Sequence, residues 1–158
     1  ILHFRSCPVH GERVGLDFMT IEKLTEATES VLADINRVNN QLHAGRVGTL
    51  AELRALLADE YNTMVVAKDG EKIVGIATLY VFQKIGKRGA YIEDVVVDNA
   101  YRGQGLGEKL VREVISVARE KRTDSVYLTS RPVHAVAHKL YTKVGFDIKE
   151  TTVFTMKL

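Results

Sequence analysis

The residues best placed to do chemistry are Arg102-Gly103-Gln104-Gly105-Leu106-Gly107. They follow the apolar run Val95-Val96-Val97 and precede a segment with Leu106, Leu110, Val114, Val117 and Ala118 at helical spacing. Glycines there allow backbone N–H groups to converge on an anion, and a helix N-terminus adds partial positive charge. The chemistry suggested is phosphate binding. Two nucleotide motifs fail on spacing. A dinucleotide fingerprint counted from Gly103 and Gly105 would need its last glycine at Glu108, and no G-K-[ST] follows for a P-loop. Taken alone, the loop also fits a plain glycine-rich connection without a ligand. His134 and His138 stand four apart, as zinc-binding histidines do, but neither an intervening metalloprotease glutamate nor a third ligand accompanies them. No metal is expected.

These residues need elements to position them. Met19–Leu24 reads as a first strand, and Thr25 offers an N-cap to a helix carrying Ala27, Val31, Leu32, Ile35, Val38 and Leu42. Thr49 and Glu52 form a capping box that opens a second helix through Leu53, Leu56 and Leu57. Thr63–Lys68 and Lys72–Phe82 flank Asp69-Gly70, which suits a tight hairpin, and a second turn over Gly86–Gly89 leads into Ala90–Asp98. After the glycine-rich loop and its helix, Ser125–Ser130 reads as a strand and Val133–Lys143 as a helix closed by Gly145. Phe146–Lys149 and Thr152–Lys157 read as a closing hairpin. The order predicts an α/β (α+β) domain with one mixed, mostly antiparallel sheet flanked by helices.

Composition narrows the class. The chain has 158 residues, 46% hydrophobic and 27% charged, enough for one globular core. A net charge of +2 without a basic, aromatic-interleaved stripe gives no support to nucleic acid as a partner. No apolar run approaches the roughly 20 residues that cross a bilayer, so no membrane partner is expected. Cys7 is the single cysteine and has no partner for an internal disulfide, which suits a reducing cytoplasm. Residues 1–18 lack the pattern that starts at Met19-Thr20-Ile21. They are read as upstream or non-native sequence ahead of a domain over 19–158.

A second motif gives the loop its meaning. Leu140-Tyr141-Thr142-Lys143-Val144-Gly145-Phe146 follows the next strand and helix. R-x-x-G-x-G after a buried strand, with L-Y-x-x-x-G-F downstream, resembles the GNAT superfamily of N-acetyltransferases over Met19 to Leu158. Ile92–Val97 with Arg102–Gly107 is locally similar to glucosamine-6-phosphate N-acetyltransferases. Leu128-Thr129-Ser130-Arg131-Pro132 through Phe146 looks like small bacterial members.

The resemblance implies acetyl-CoA as cofactor and a single GNAT-like domain whose central strands splay apart. It places the pantetheine arm along Val95, Val96 and Val97 and the pyrophosphate on Arg102, Gly103, Gln104, Gly105, Leu106 and Gly107. Lys139 and Lys143 are candidates for the nucleotide's other phosphate, although solvated charges are the plainer reading. Tyr141 would protonate the departing thiolate. Where relatives often carry asparagine, this chain has His138, which would take over a cofactor contact or relay a proton. An ammonium must lose a proton before it attacks a thioester, and Glu93 is the candidate base, directly or through water. Binding the ammonium without taking its proton is equally open for Glu93. A backbone N–H near Val95 would serve the oxyanion. Strict alternation puts Glu93 and Asp94 on opposite faces, so only one should face the acceptor, leaving Asp94 a structural role. The acceptor would be a small-molecule amine (amino sugar, aminoglycoside or polyamine) or a peptide, in a pocket open to Gln41, His43 and Arg46. A non-catalytic acyl-CoA-binding module is the alternative, and a homodimer through Thr152–Leu158 is possible.

Overall fold

The computed structural model describes residues 19–158, so Cys7 and the segment ahead of Met19 lie outside the described residues. Five strands form one sheet in sequence order: β1 (Met19–Lys23), β2 (Asn62–Asp69), β3 (Lys72–Lys84), β4 (Lys87–Val97) and β5 (Ser125–Tyr127). The first four are antiparallel, and β5 joins β4 in parallel. Helices α1 (Glu29–Asn39) and α2 (Leu50–Ala58) cover one face. Helix α3 (Leu106–Glu120) covers the other, with α4 (Ala135–Val144) packed against it.

Burial on both faces explains the unbroken apolar runs of the central strands, because each residue meets a helix layer whichever way it points. Val65, Val74, Leu79 and Ile92 join Leu110, Val114 and Val117 of α3. Val66, Ile73, Ile76 and Val96 join Ile35 and Val38 of α1 and Leu53 of α2. The Asp69-Gly70 turn forms as read, with Gly70 at φ +58°. The capping box is complete: Thr49 Oγ1 accepts from the Glu52 amide, and the Glu52 carboxylate accepts from the Thr49 amide at 2.7 Å.

Three expectations are corrected. The N-cap of α1 is Thr28, not Thr25, with its hydroxyl accepting from Val31 N at 3.3 Å. Leu24 is buried and its amide donates to Met64 O, so the chain follows β2 beyond β1 before turning. The strand read as Ser125–Ser130 ends at Tyr127. The strands read over Phe146–Lys149 and Thr152–Lys157 do not form, and Ile148, Phe154 and Met156 are strongly exposed. Their alternating pattern encodes a strand only beside a backbone edge to pair with. No helix among the described residues is long and apolar enough to cross a membrane.

Candidate active site

The loop after β4 has the shape its glycines suggested. Gly103 and Gly105 sit at φ +77° and +78°, and a Cβ at either would meet only open space. Helix α3 starts from Gly105 without a side-chain cap, leaving its first amides free to receive acceptor oxygens. The one carboxylate in its first turn, Glu108, is bound by Lys143 at 2.6 Å and by Arg112 at 3.0 Å. Lys143 thus shields an incoming phosphate from Glu108. The buried Gln104 Oε1 has no hydrogen-bond partner. An uncapped helix start, an open glycine backbone and a neutralised acid fit a pyrophosphate group.

A rigid underside holds this loop. Asp98 caps the 3-10 turn Asn99–Tyr101 by accepting from the Ala100 amide, and Arg37 of α1 pairs with it. Burial pushes the Asp98 carboxyl up, but those bonds, with help from Gln41, bring it below its ordinary range. Gln41 Oε1 also accepts from the Asn99 amide, so Gln41 supports the loop. Arg102 folds back, with Nε donating to Val97 O at 3.0 Å. That occupies one carbonyl of the strand assigned to the pantetheine.

Strands β4 and β5 pair only from Gly89↔Ser125 to Tyr91↔Tyr127. Beyond Tyr91 they part, and the β5-side edge of Ile92–Val97, with Val95, Val96 and Val97, is left without a strand partner. An extended thiol arm could add to that edge through main-chain bonds. Across the gap, Tyr141 on α4 is half-buried, edge-on to Phe146 at 6.0 Å. Burial first, then the charge of Glu93, pushes its phenol above the ordinary value. His138 Nε2 lies 3.1 Å from Arg131 O, tying α4 to the preceding loop. Among the described residues no three His, Cys, Asp or Glu side chains gather to hold a metal ion.

The acceptor side corrects the strict alternation. On β3, Ile76 and Thr78 are two apart, but their partners Val96 and Glu93 on β4 are three apart. The extra residue is a bulge, with Asp94 at φ +52°. Ile92 before it and Val95 and Val97 after it pack toward α3, while Val96 packs toward α1. Glu93 therefore shares the α1 face, and Asp94 reaches the α1–α2 connection, where its Oδ1 lies 2.9 Å from His43 Nε2. Glu93 and Asp94 act on one region, contrary to the expectation that only one would. Partial burial, then the neighbouring Asp94, pushes the Glu93 carboxyl up, with His43 opposing. Asp94 and Glu93 together, after burial, also raise the Tyr80 phenol.

Sequence reasoning missed the rings beside this acid pair. Phe82, Tyr91 and Tyr127 come from three strands and cluster with centroids 5.3–6.3 Å apart. Gly89 makes room: a Cβ there would stand 2.4 Å from Phe82 Cζ. Lys87 donates to Tyr127 Oη at 2.9 Å, and Tyr91 and Tyr127 remain 42% and 37% exposed. The only sequence signal was an aromatic residue at an outward strand position, repeated on neighbouring strands.

Comparison with known proteins gives a consistent picture. Residues 29–146 match the model of the Acetyltransferase (GNAT) family. The chain is 38% identical over 82 residues to glucosamine 6-phosphate N-acetyltransferase of Trypanosoma brucei brucei, covering 50% of this chain and 54% of that one. It is 34% identical over 94 residues to N-alpha-acetyltransferase RimI of Mycobacterium tuberculosis, covering 58% and 56%. The aligned part thus spans about half the length of these two curated relatives. The crystal structure of an aminoglycoside acetyltransferase from an uncultured soil metagenomic sample, in complex with trehalose, superposes with a TM-score of 0.79. It is 26% identical and covers 90% of this chain and 97% of that one.

Proposed function

The chain belongs to the GNAT family of acetyltransferases, and from that premise we propose that it transfers acetyl from acetyl-CoA to a primary amine of a ring-bearing small molecule. Amino sugars and aminoglycosides are the acceptor classes this reading favours. The observation that carries it is the acid pair at the β4 bulge, with Glu93 on the α1 face and Asp94 beside it, next to a cluster of three rings of which Tyr91 and Tyr127 are exposed. Rings of this kind offer a flat apolar surface to a cyclic acceptor, whereas a linear polyamine needs only charge.

Acetyl-CoA supplies an activated thioester. In this reading the amides from Arg102 to Gly107 hold its phosphates, and the free edge at Val95, Val96 and Val97 aligns its thiol arm. Glu93 removes a proton from the acceptor ammonium, directly or through one water, and the freed nitrogen forms a bond to the acetyl carbon. A backbone N–H near Val95 bonds the oxyanion. As the carbon–sulfur bond breaks, the sulfur leaves with the electron pair and takes the Tyr141 proton, and the extra proton on the new amide nitrogen passes through water to restore the phenol. A base raised above the ordinary carboxylate range and a phenol kept protonated by burial suit those directions of transfer. His138, fixed to Arg131 O, orients the start of α4 so that Tyr141 faces the gap.

Mass spectrometry of purified protein with acetyl-CoA and a panel of amino sugars, aminoglycosides, polyamines and peptides tests the proposal. A 42-dalton gain (the mass of one acetyl group replacing hydrogen, about 42 Da) on a ring-bearing acceptor supports it; acetylation confined to peptides would sink the acceptor class. A cytoplasmic location, supported by the single Cys7, and pairing as a homodimer are parts of the same proposal. The apolar side chains exposed at Ile148, Val153, Phe154 and Met156 are the support for pairing. Sedimentation equilibrium returning the mass of one copy would contradict it.

A further inference from the structure

Thr78 lies on β3 directly opposite Glu93. It is fully buried, and its Oγ1 has no hydrogen-bond partner. A hydroxyl in that condition loses its water bonds on folding and gains nothing in return, whereas valine would fill the same volume without the loss. Side chains directly opposite in an antiparallel pair share a face, with Cβ atoms about 5 Å apart. Within that distance, rotation about the Glu93 side chain brings its carboxylate to the hydroxyl.

We infer that Thr78 is a positioning residue whose hydroxyl donates a hydrogen bond to the Glu93 carboxylate whenever that carboxylate is ionised. The inference rests on the reading of Glu93 as the site's base. The unpaired donor is then held in reserve for the one group opposite it that gains an acceptor capacity when it ionises. Its effect is to aim the carboxylate along the sheet face and to favour its charged form. The other groups facing Glu93 are fixed by their elements: Asp94 in the bulge, His43 on the α1–α2 connection, Tyr80 on β3 and Tyr141 on α4. None of the three beyond the bulge, His43, Tyr80 and Tyr141, lies at the strand position opposite Glu93, which Thr78 holds.

The test titrates the Glu93 carboxylate carbon by NMR in the full chain, its signal assigned by disappearance in Glu93→Gln. Thr78→Val is expected to raise the titration midpoint by about one pH unit, since one lost donor to a carboxylate is worth about a unit. Its Tm should equal or exceed that of the parent. Thr78→Ser, which keeps the hydroxyl, should return the midpoint to the parent value. With an acceptor in hand, the acid limb of kcat/KM should move in the same sense in Thr78→Val. An unmoved midpoint in Thr78→Val would overturn the inference, and so would a shift that serine does not reverse. Failure of the base reading looks different: Glu93→Gln would then turn over like the parent, whatever the Thr78 variants do.

Discussion

The two ends of the β4–β5 gap are built by opposite means. At the proposed cofactor end the candidate binding groups are backbone amides, and their geometry follows from local sequence: two glycines at positive φ and a helix start without a cap. At the proposed acceptor end the candidate groups are side chains from β3, β4, β5 and the α1–α2 connection, brought together by pairing register and one bulge. A backbone cradle depends on nearby residues alone and tolerates change elsewhere. A side-chain face depends on every strand that contributes, so it can change from one relative to another without disturbing the cradle. That the chain resembles a glucosamine 6-phosphate N-acetyltransferase, an N-alpha-acetyltransferase and an aminoglycoside acetyltransferase at once is what such a division produces.

Substitutions at the two ends should separate accordingly. The largest effect is expected where the ends meet. Tyr141→Phe should lower kcat about 100-fold (range 10- to 1000-fold) with acetyl-CoA affinity within about twofold of the parent. Steady-state kinetics beside calorimetric titration reads both, and unchanged turnover would remove Tyr141 from the chemistry. Next, Gly105→Val places a branched side chain at φ +78° in the cradle. It should weaken CoA binding about 10- to 100-fold and leave the acceptor KM alone. Equal affinity would mean that phosphates sit elsewhere.

Smaller effects probe the acceptor end. Tyr91→Ala should raise the acceptor KM about 5- to 10-fold at constant CoA affinity, because it removes one ring of an exposed platform. A shifted CoA affinity instead would erase the distinction between the ends. The pH dependence has a definite sign. Glu93 must be ionised to take a proton, and its carboxyl is raised above the ordinary range by partial burial and by Asp94. Activity is therefore lost as pH falls through a midpoint above that of a free glutamate. Asp94→Asn removes a like charge and should move that limb to lower pH by a fraction of a unit, visible in a kcat/KM profile. A limb that stays in place or moves upward would show that Asp94 does not act on Glu93.

The same division explains what could be read from sequence. The capping box at Thr49 and Glu52, the Asp69-Gly70 hairpin, the glycine loop and the apolar face of α3 are each encoded within a few residues, and each appears in the structure. The bulge is not encoded that way. Nothing in Ile92-Glu93-Asp94-Val95 says that Asp94 leaves the strand's alternation; the register is set by β3 and by which valines α1 and α3 cover. Thr25 and Thr28 are chemically alike as caps, and the choice between them falls to a hydrogen bond from Leu24 to Met64 forty residues away. The residues after Gly145 carry a strand's alternation and form no strand, because pattern cannot supply the edge to pair with. The ring cluster draws its members from three strands and is visible only once those strands are side by side.

The central claim is that Glu93 and the rings beside it receive an amine while the glycine loop holds acetyl-CoA. Thiol release from acetyl-CoA, measured with and without ring-bearing amines in the parent and in Glu93→Gln, tests it most directly. The account predicts amine-dependent release in the parent, about 100-fold slower release in Glu93→Gln, and the same acetyl-CoA affinity in both. Acetyl-CoA binding with no amine-dependent release across the panel would contradict it and leave the chain an acyl-CoA-binding module.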